Sequence, residues 1–245
     1  MEKIFTIRIS YWMGGYLDIG GPDSWIQIEA KSYQEKLSEQ ASFHSQAGQD
    51  EFVHTLLYNL LGKQDAGYYL EIGAGEPIYI NNTYTLEKNF GWQGISVDIS
   101  GHLADRWRLA RSNPLLSKDA TQLDYASVLE GFPQTIDYLS LDIDSHYDTV
   151  LEKVLQTNRR FKIITIEHDA YRCGDTYRPQ EREILARFGY HLLCADVCHD
   201  GCPFEDWWIA PDFFPSALFQ QLASLDLQNK DCREVIRNIK SVAPK

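Results

Sequence analysis

Apolar positions change their period repeatedly along the chain. In "DEFVHTLLYNLLG" (50–62) they fall at Phe52, Val53, Leu56, Leu57, Leu60 and Leu61, and Gly62 ends the run. That spacing predicts an amphipathic helix with a C-terminal glycine. "YYLEIG" (68–73) is a short apolar run bounded by glycine, which predicts a strand, and "NTYTLEKNFG" (82–91) reads as a helix closed by Gly91. The pattern repeats. "GISVDIS" (94–100) is a strand, "LADRWRLARS" (103–112) is helical, and a short strand lies near "PLLSKDA" (114–120). "TIDYLSLDID" (135–144) is a strand and "HYDTVLEKVLQ" (146–156) a helix; "FKIITIEHD" (161–169) is a strand and "QEREILARFG" (180–189) a helix. "YHLLCADV" (190–197) and "DWWIAP" (206–211) are close enough to pair antiparallel, and two helices follow, near 215–226 and 229–241. Strands alternating with helices predict an α/β domain over 46–245, with a mostly parallel sheet covered on both faces and one reversed strand. Residues 1–33 mix β-formers with turns such as "MGGY", and residues 1–45 read as an arm or lid outside that pattern.

In an open sheet of this kind, ligands sit beyond the carboxyl ends of the strands. The acids there are Glu71, Asp98, Asp119, Asp142 and Glu167. Composition narrows the ligand. The 245 residues carry a formal charge of −12, which disfavours nucleic acid and fits a neutral or cationic ligand. No apolar run reaches membrane-span length, and "MEKIFTIRIS" lacks a secretory h-region, so a cytoplasmic protein is expected. The odd count of five cysteines agrees with reduced thiols. "CADVCHDGC" (194–202) spaces its cysteines as C-x3-C-x3-C, unlike the usual zinc pattern, and reads as one strand cysteine and two loop thiols.

The loop "LEIGAGEP" carries the main signal. A dinucleotide loop needs G-x-G-x-x-G running straight into a helix. Here Gly73 and Gly75 are present, position 78 is Ile, and Pro77 holds its neighbour out of the α region. The helix must start later, near Asn82, with Asn82 or Thr83 as cap. A pyrophosphate would lose its helix N-terminus, whereas a ligand without phosphate loses little. S-adenosylmethionine is such a ligand, with an ammonium and a sulfonium. Glu71 could face its charged methionine end, directly or through water, and Gly73, Ala74 and Gly75 would let backbone approach. Asp98, 27 positions after Glu71, could accept both ribose hydroxyls, with Ile99 beside it. Asp119 and Ala120 lie where an adenine amino group needs an acceptor.

"SQAGQDEFV", "YLEIGAGEP", "NNTYTLEKNFGWQGISVD", "DYLSLDID" and the late "DWW" together resemble the FkbM-type S-adenosylmethionine-dependent methyltransferases, over roughly residues 45 to 210. The resemblance implies a Rossmann-like class I methyltransferase sandwich with a seven-stranded sheet. It also implies methylation of hydroxyl groups on sugars or polyketides. One part departs from that family: "LDIDSHYDT" replaces the usual Asp-Thr-Glu-Gly run, and "IEHD" follows, Glu167 lying 25 residues after Asp142. That part is similar to metal-dependent sugar O-methyltransferases. By that likeness Asp142, Glu167 and His168 would hold magnesium or manganese, if any metal is used.

A hydroxyl acceptor must lose its proton during methyl transfer. His146, Asp144 and Asp142 are the candidates for that chemistry, helix capping being the other role open to His146. Trp107, Tyr147, Tyr171, Tyr177, Trp207 and Trp208 could form an acceptor surface, although at least one tryptophan of "DWW" belongs in the core. A small-molecule or glycan acceptor is expected, and the arm could cover the acceptor or mediate a homodimer. A D-x-D glycosyltransferase built on "SLDID" and a metal-independent small-molecule methyltransferase are the alternatives.

Overall fold

The computed structural model describes residues 9–11, 15–17 and 43–242. The chain divides into two units, Met1–Ser42 and Phe43–Lys245. In the first, β1 (Ile9–Tyr11) pairs antiparallel with β2 (Gly15–Leu17). The covering or dimerising role expected of the arm falls outside the described residues. Residues 44 and 45 belong with the second unit, where the His44 N–H and the Ser45 hydroxyl both donate to the buried Asp50.

The second unit is built on seven strands: β3 (Tyr68–Ile72), β4 (Gln93–Asp98), β5 (Leu115–Ser117), β6 (Thr135–Leu141), β7 (Arg160–Glu167), β8 (His191–His199) and β9 (Cys202–Ile209). They lie in the order β5-β4-β3-β6-β7-β9-β8, and only β9 runs antiparallel to its neighbours. The order and the single reversed strand agree with the mostly parallel α/β sheet expected from the sequence. Because β3 and β6 are adjacent but far apart in sequence, the chain reverses its direction of winding between them. Loops on either side of that point leave a crevice over the strand ends.

Register assigns the side chains to faces. Glu71 pairs with Ser96 and Ser140, and Thr165 with Trp207, so one face carries a polar row flanked by Tyr69, Tyr138 and Trp207. One step further along the same face lie Asp98, Asp142 and Glu167. The apolar part of this face packs on α1 (Gln49–His54), whose helix widens into a π-turn over Thr55–Leu60, and on α9 (Cys232–Lys240). Phe52 stacks on Trp207 with ring centroids 4.4 Å apart, and both are fully buried. The other face, with Ile72, Leu139, Leu141, Ile164 and Ile166, buries Val150, Leu151 and Val154 of α5 (Tyr147–Leu155) and Leu185 of α7 (Arg178–Arg187). Each such side chain contributes about 1.5–3 kcal/mol on burial.

The remaining helices are α2 (Tyr84–Phe90), α3 (Ala104–Ala110), α4 (Tyr125–Val128), α6 (Ala170–Cys173) and α8 (Ser216–Ala223). Gly91 closes α2 in the left-handed region, φ 68°. The β8–β9 hairpin is longer than expected. Asp200 and Gly201, at φ 50° and 80°, form a tight turn, so Cys198 and Cys202 lie within strands rather than in a loop. Both tryptophans of "DWW" are core residues, 0% and 2% exposed. Among the described residues no helix is long and apolar enough to cross a membrane.

β3 is followed by two glycines with different jobs. A Cβ on Gly73 (φ +85°) would lie 1.5 Å from the Asp142 carbonyl oxygen, because β6 closes directly against this turn. A Cβ on Gly75 (φ +58°) would meet no atom within 4 Å. Gly75→Ala is therefore expected to cost about 1–2 kcal/mol, the left-handed penalty alone. Gly73→Ala must also displace backbone, and should lower the thermal midpoint by several degrees more or abolish folding. Equal midpoints for the two variants would contradict the close approach.

Candidate active site

Beyond Gly75 the chain does not enter a helix for eight residues, and its course is set by one arginine. Arg111, directly after α3, is 5% exposed. Its Nε donates to Glu87 Oε2 at 2.6 Å. Nη1 donates to the Pro77 carbonyl at 3.2 Å and to Asn81 Oδ1 at 2.9 Å, and Nη2 to the Tyr69 hydroxyl at 2.9 Å and Thr83 Oγ1 at 2.8 Å. Every N–H of the guanidinium is thus used. Trp107 lies against its plane, 4.5 Å from ring centroid to Cζ. Burial opposes the charge, but Tyr69, Glu71 and Glu87 outweigh it and hold its pKa above the usual arginine value. Gly94 makes room for this arrangement, since a Cβ there would lie 2.4 Å from the Tyr69 ring.

Glu71 faces into the protein. Its Oε2 accepts from Ser96 Oγ at 2.6 Å and Thr83 Oγ1 at 2.9 Å, and burial raises its pKa against the pull of Arg111 and these donors. Glu71 thus braces the loop from beneath. Thr83 is the N-cap residue of α2, but the cap is made by Asn81, whose Oδ1 accepts from the Thr83 and Tyr84 N–H groups. Asn82 is turned under the loop and donates to Ser140 Oγ.

Above this support lies the open side of the turn. Asp98 Oδ2 accepts from Gly75 N–H at 2.8 Å and Oδ1 from Ser100 N–H at 2.7 Å, which leaves each oxygen a further lone pair. Ile99, next to it, is 74% exposed. Asp119 caps the turn after β5 through Oδ1, which takes both the N–H and the hydroxyl of Thr121. These hydrogen bonds lower its pKa. Ala120 packs partly into the core.

Across the crevice, Asp142 and Glu167 hydrogen-bond to one another. Burial raises both pKa values; the hydrogen bond from Glu167 partly offsets the rise at Asp142, while the Asp142 charge pushes Glu167 further up, so the pair retains a proton well above the usual carboxylate range. Asp169 adjoins them, and the Arg172 guanidinium bridges Asp169 to Asp144. His146 is exposed, sits at φ 60° ahead of α5 and makes no side-chain cap bond.

His168 does not join Asp142 and Glu167. Consecutive strand residues point to opposite faces, and His168 is fully buried on the other one. Its Nδ1 accepts from Ala170 N–H at 3.2 Å, and its Nε2 lies 3.5 Å from Asp196 and 3.6 Å from Asp206. Those two carboxylates are already held by Arg178 and Arg182. A bulge with Asp196 at φ 54° turns that residue towards the cluster. The metal set Asp142, Glu167 and His168 is therefore not assembled. On the same face Glu181 is fully buried, and its carboxylate oxygens have no hydrogen-bond partner among the described residues.

The expected aromatic surface is largely internal. Trp107, Tyr147, Trp207 and Trp208 are buried, Tyr177 is half-buried against Tyr147, and only Tyr171 is exposed. Arg111 was missed because an arginine closing an amphipathic helix reads as solvated.

No protein-family profile matches the sequence, and no curated protein matches it. Several solved structures are similar at low identity. Magnesium protoporphyrin IX methyltransferase of Synechocystis, with bound S-adenosylmethionine, aligns with 66% of this chain and 78% of its own at 13% identity, TM-score 0.45. A methyltransferase from Geobacter sulfurreducens in complex with S-adenosyl-L-homocysteine aligns over 63% and 68% at 14% identity, TM-score 0.42. A putative rRNA methylase from Clostridium thermocellum aligns over 69% and 96% at 11% identity, TM-score 0.46.

Removing Arg111 strands Glu87 in the interior. Arg111→Met should cost about 3–5 kcal/mol in urea denaturation, and adding Glu87→Gln should recover part of it. Strict additivity, or a loss under about 1 kcal/mol, would show that the guanidinium is not the organising group. Glu181 gives a pH-dependent test. Burial, then the Asp206 charge, pushes its carboxyl up to about 9 from 4.5. The folded state therefore binds a proton that the unfolded state has lost, and stability falls as pH rises between those values. Glu181→Gln should be more stable than the parent at pH 8, with the gain shrinking towards pH 4.5. A gain of equal size at both pH values would refute the assignment.

Proposed function

We propose that the protein is an S-adenosylmethionine-dependent methyltransferase acting on a hydroxyl group, most simply one on a sugar unit of a glycan, glycolipid or natural product. The supporting observation is the open space over Gly75, bracketed by the Asp98 carboxylate and the exposed Ile99, beyond the end of β3. The residues suit that cofactor. Asp98 has lone pairs for ribose hydroxyls, Asp119 has a second oxygen beside the Ala120 backbone, and the late start of α2 leaves no helix N-terminus for a pyrophosphate. When bound, S-adenosylmethionine supplies a methyl group already activated by its sulfonium.

The chain then has to orient an acceptor and take its proton. Gly73, Ala74 and Gly75 form the backbone wall, held by Asn81 at the Ala74 carbonyl and supported from below by Glu71, Asn82 and Thr83. His146 is the base we favour, being exposed at the rim and free of a capping bond. Asp144 is tied to Arg172, and Asp142 already shares a proton with Glu167, so both act better in positioning the acceptor than in deprotonating it. With His168 engaged on the other face, we favour the metal-independent form of the reaction.

Isothermal titration tests the reading. S-adenosylhomocysteine should bind, and Asp98→Ala should weaken it by about tenfold or more, the loss of charge-assisted bonds to hydroxyls. Preferential binding of a nucleotide sugar or NAD would replace this proposal with a glycosyltransferase or a dehydrogenase.

A further inference from the structure

Six large hydrophobic side chains are exposed among the described residues: Ile78, Tyr79, Ile80, Ile99, Leu109 and Tyr171. Ile78, Tyr79, Ile80 and Ile99 lie on the loops that follow β3 and β4, and Tyr171 lies in the short helix α6 after β7, at the edge of the sheet where the crevice opens. Single exposed apolar residues need no explanation, but a cluster on one rim does.

The three in the loop 78–80 are presented by a rigid device. Before them, the Pro77 carbonyl is held by Arg111. After them, Asn81 is fully buried, donates to the Ala74 carbonyl at 3.0 Å and accepts from Arg111. Glu76 is paired with Arg106 of α3. Between these anchors Ile80 adopts φ +46°, a conformation a β-branched residue rarely takes and one that costs about 1–3 kcal/mol. The fold thus holds Ile78, Tyr79 and Ile80 outward, at 40%, 72% and 47% exposure, next to the open side of Gly75. The charged groups of the same edge are mostly acids: Asp98, Asp119, Asp142, Asp144, Glu167 and Asp169. They repel phosphate and accept hydroxyl donors.

We propose that the acceptor is an uncharged amphiphile. Its hydroxylated head enters the acidic crevice, and its apolar chain or ring rests on the Ile78–Tyr79–Ile80 loop. This rests on the methyltransferase reading for the word acceptor, and the test keeps the two apart. Octyl β-D-glucopyranoside below its micellar concentration and methyl β-D-glucopyranoside are titrated into the full chain, with and without S-adenosylhomocysteine. The octyl compound should bind at least about tenfold more tightly. Tyr79→Ser combined with Ile80→Gly should abolish that difference; the glycine also relieves the positive φ, so folding is not at risk. Equal affinity for the two glucosides overturns the proposal, as does a preference that survives in the variant. A twelve-nucleotide single-stranded RNA that binds more tightly than octyl glucoside overturns it as well. Failure of S-adenosylhomocysteine to bind would count against the cofactor reading alone, because the cofactor-free comparison still reports on the loop.

Discussion

The site depends on a charge that the protein has taken out of water. Arg111 could not be buried without acceptors for all its N–H groups, and those acceptors come from β3, α2 and the loop between them. The requirement works in both directions. The guanidinium is stable only if Pro77, Asn81, Thr83, Tyr69 and Glu87 converge, and once they converge the loop has little freedom left. A glycine turn that would otherwise be a mobile surface loop becomes a shaped wall. Glu71 reinforces it through Thr83 and Ser96, so this acid at the end of β3 braces the glycine turn without facing the solvent.

A second constraint is the two-residue period of a strand. Glu167, His168 and Asp169 are consecutive, yet they divide between two environments. Glu167 and Asp169 line the crevice with Asp142, while His168 is fixed on the opposite face by Asp206 and Asp196. The histidine contributes by anchoring the strand end, and the carboxyl groups remain as a proton-sharing pair. The acidic character of the crevice and the apolar character of its rim then follow from different elements. The first comes from strand ends and the second from a loop pinned at both sides.

Much of this architecture was legible in the sequence, and particular residues show why. The runs around Leu70, Val97, Leu139 and Ile164 are near-continuous and apolar because these strands are covered on both faces, and Gly91 ends its helix for a local steric reason. The Gly73–Gly75 turn and the strand-end acids were visible for the same local reasons. Less visible were Arg111, the bulge at Asp196 and the extension of the last hairpin through Cys198 and Cys202, because each depends on partners distant in the chain.

Local chemistry therefore determined the elements, their order, the late start of α2 after Pro77 and the row of carboxylates at the sheet's edge. Tertiary structure decided which carboxylates line the crevice and which brace the fold, that His168 leaves the crevice, and that Ile78, Tyr79 and Ile80 stay in solvent. The physical reason is that backbone preference and hydrophobic period act over a few residues, whereas desolvating a charge requires partners from across the whole sheet.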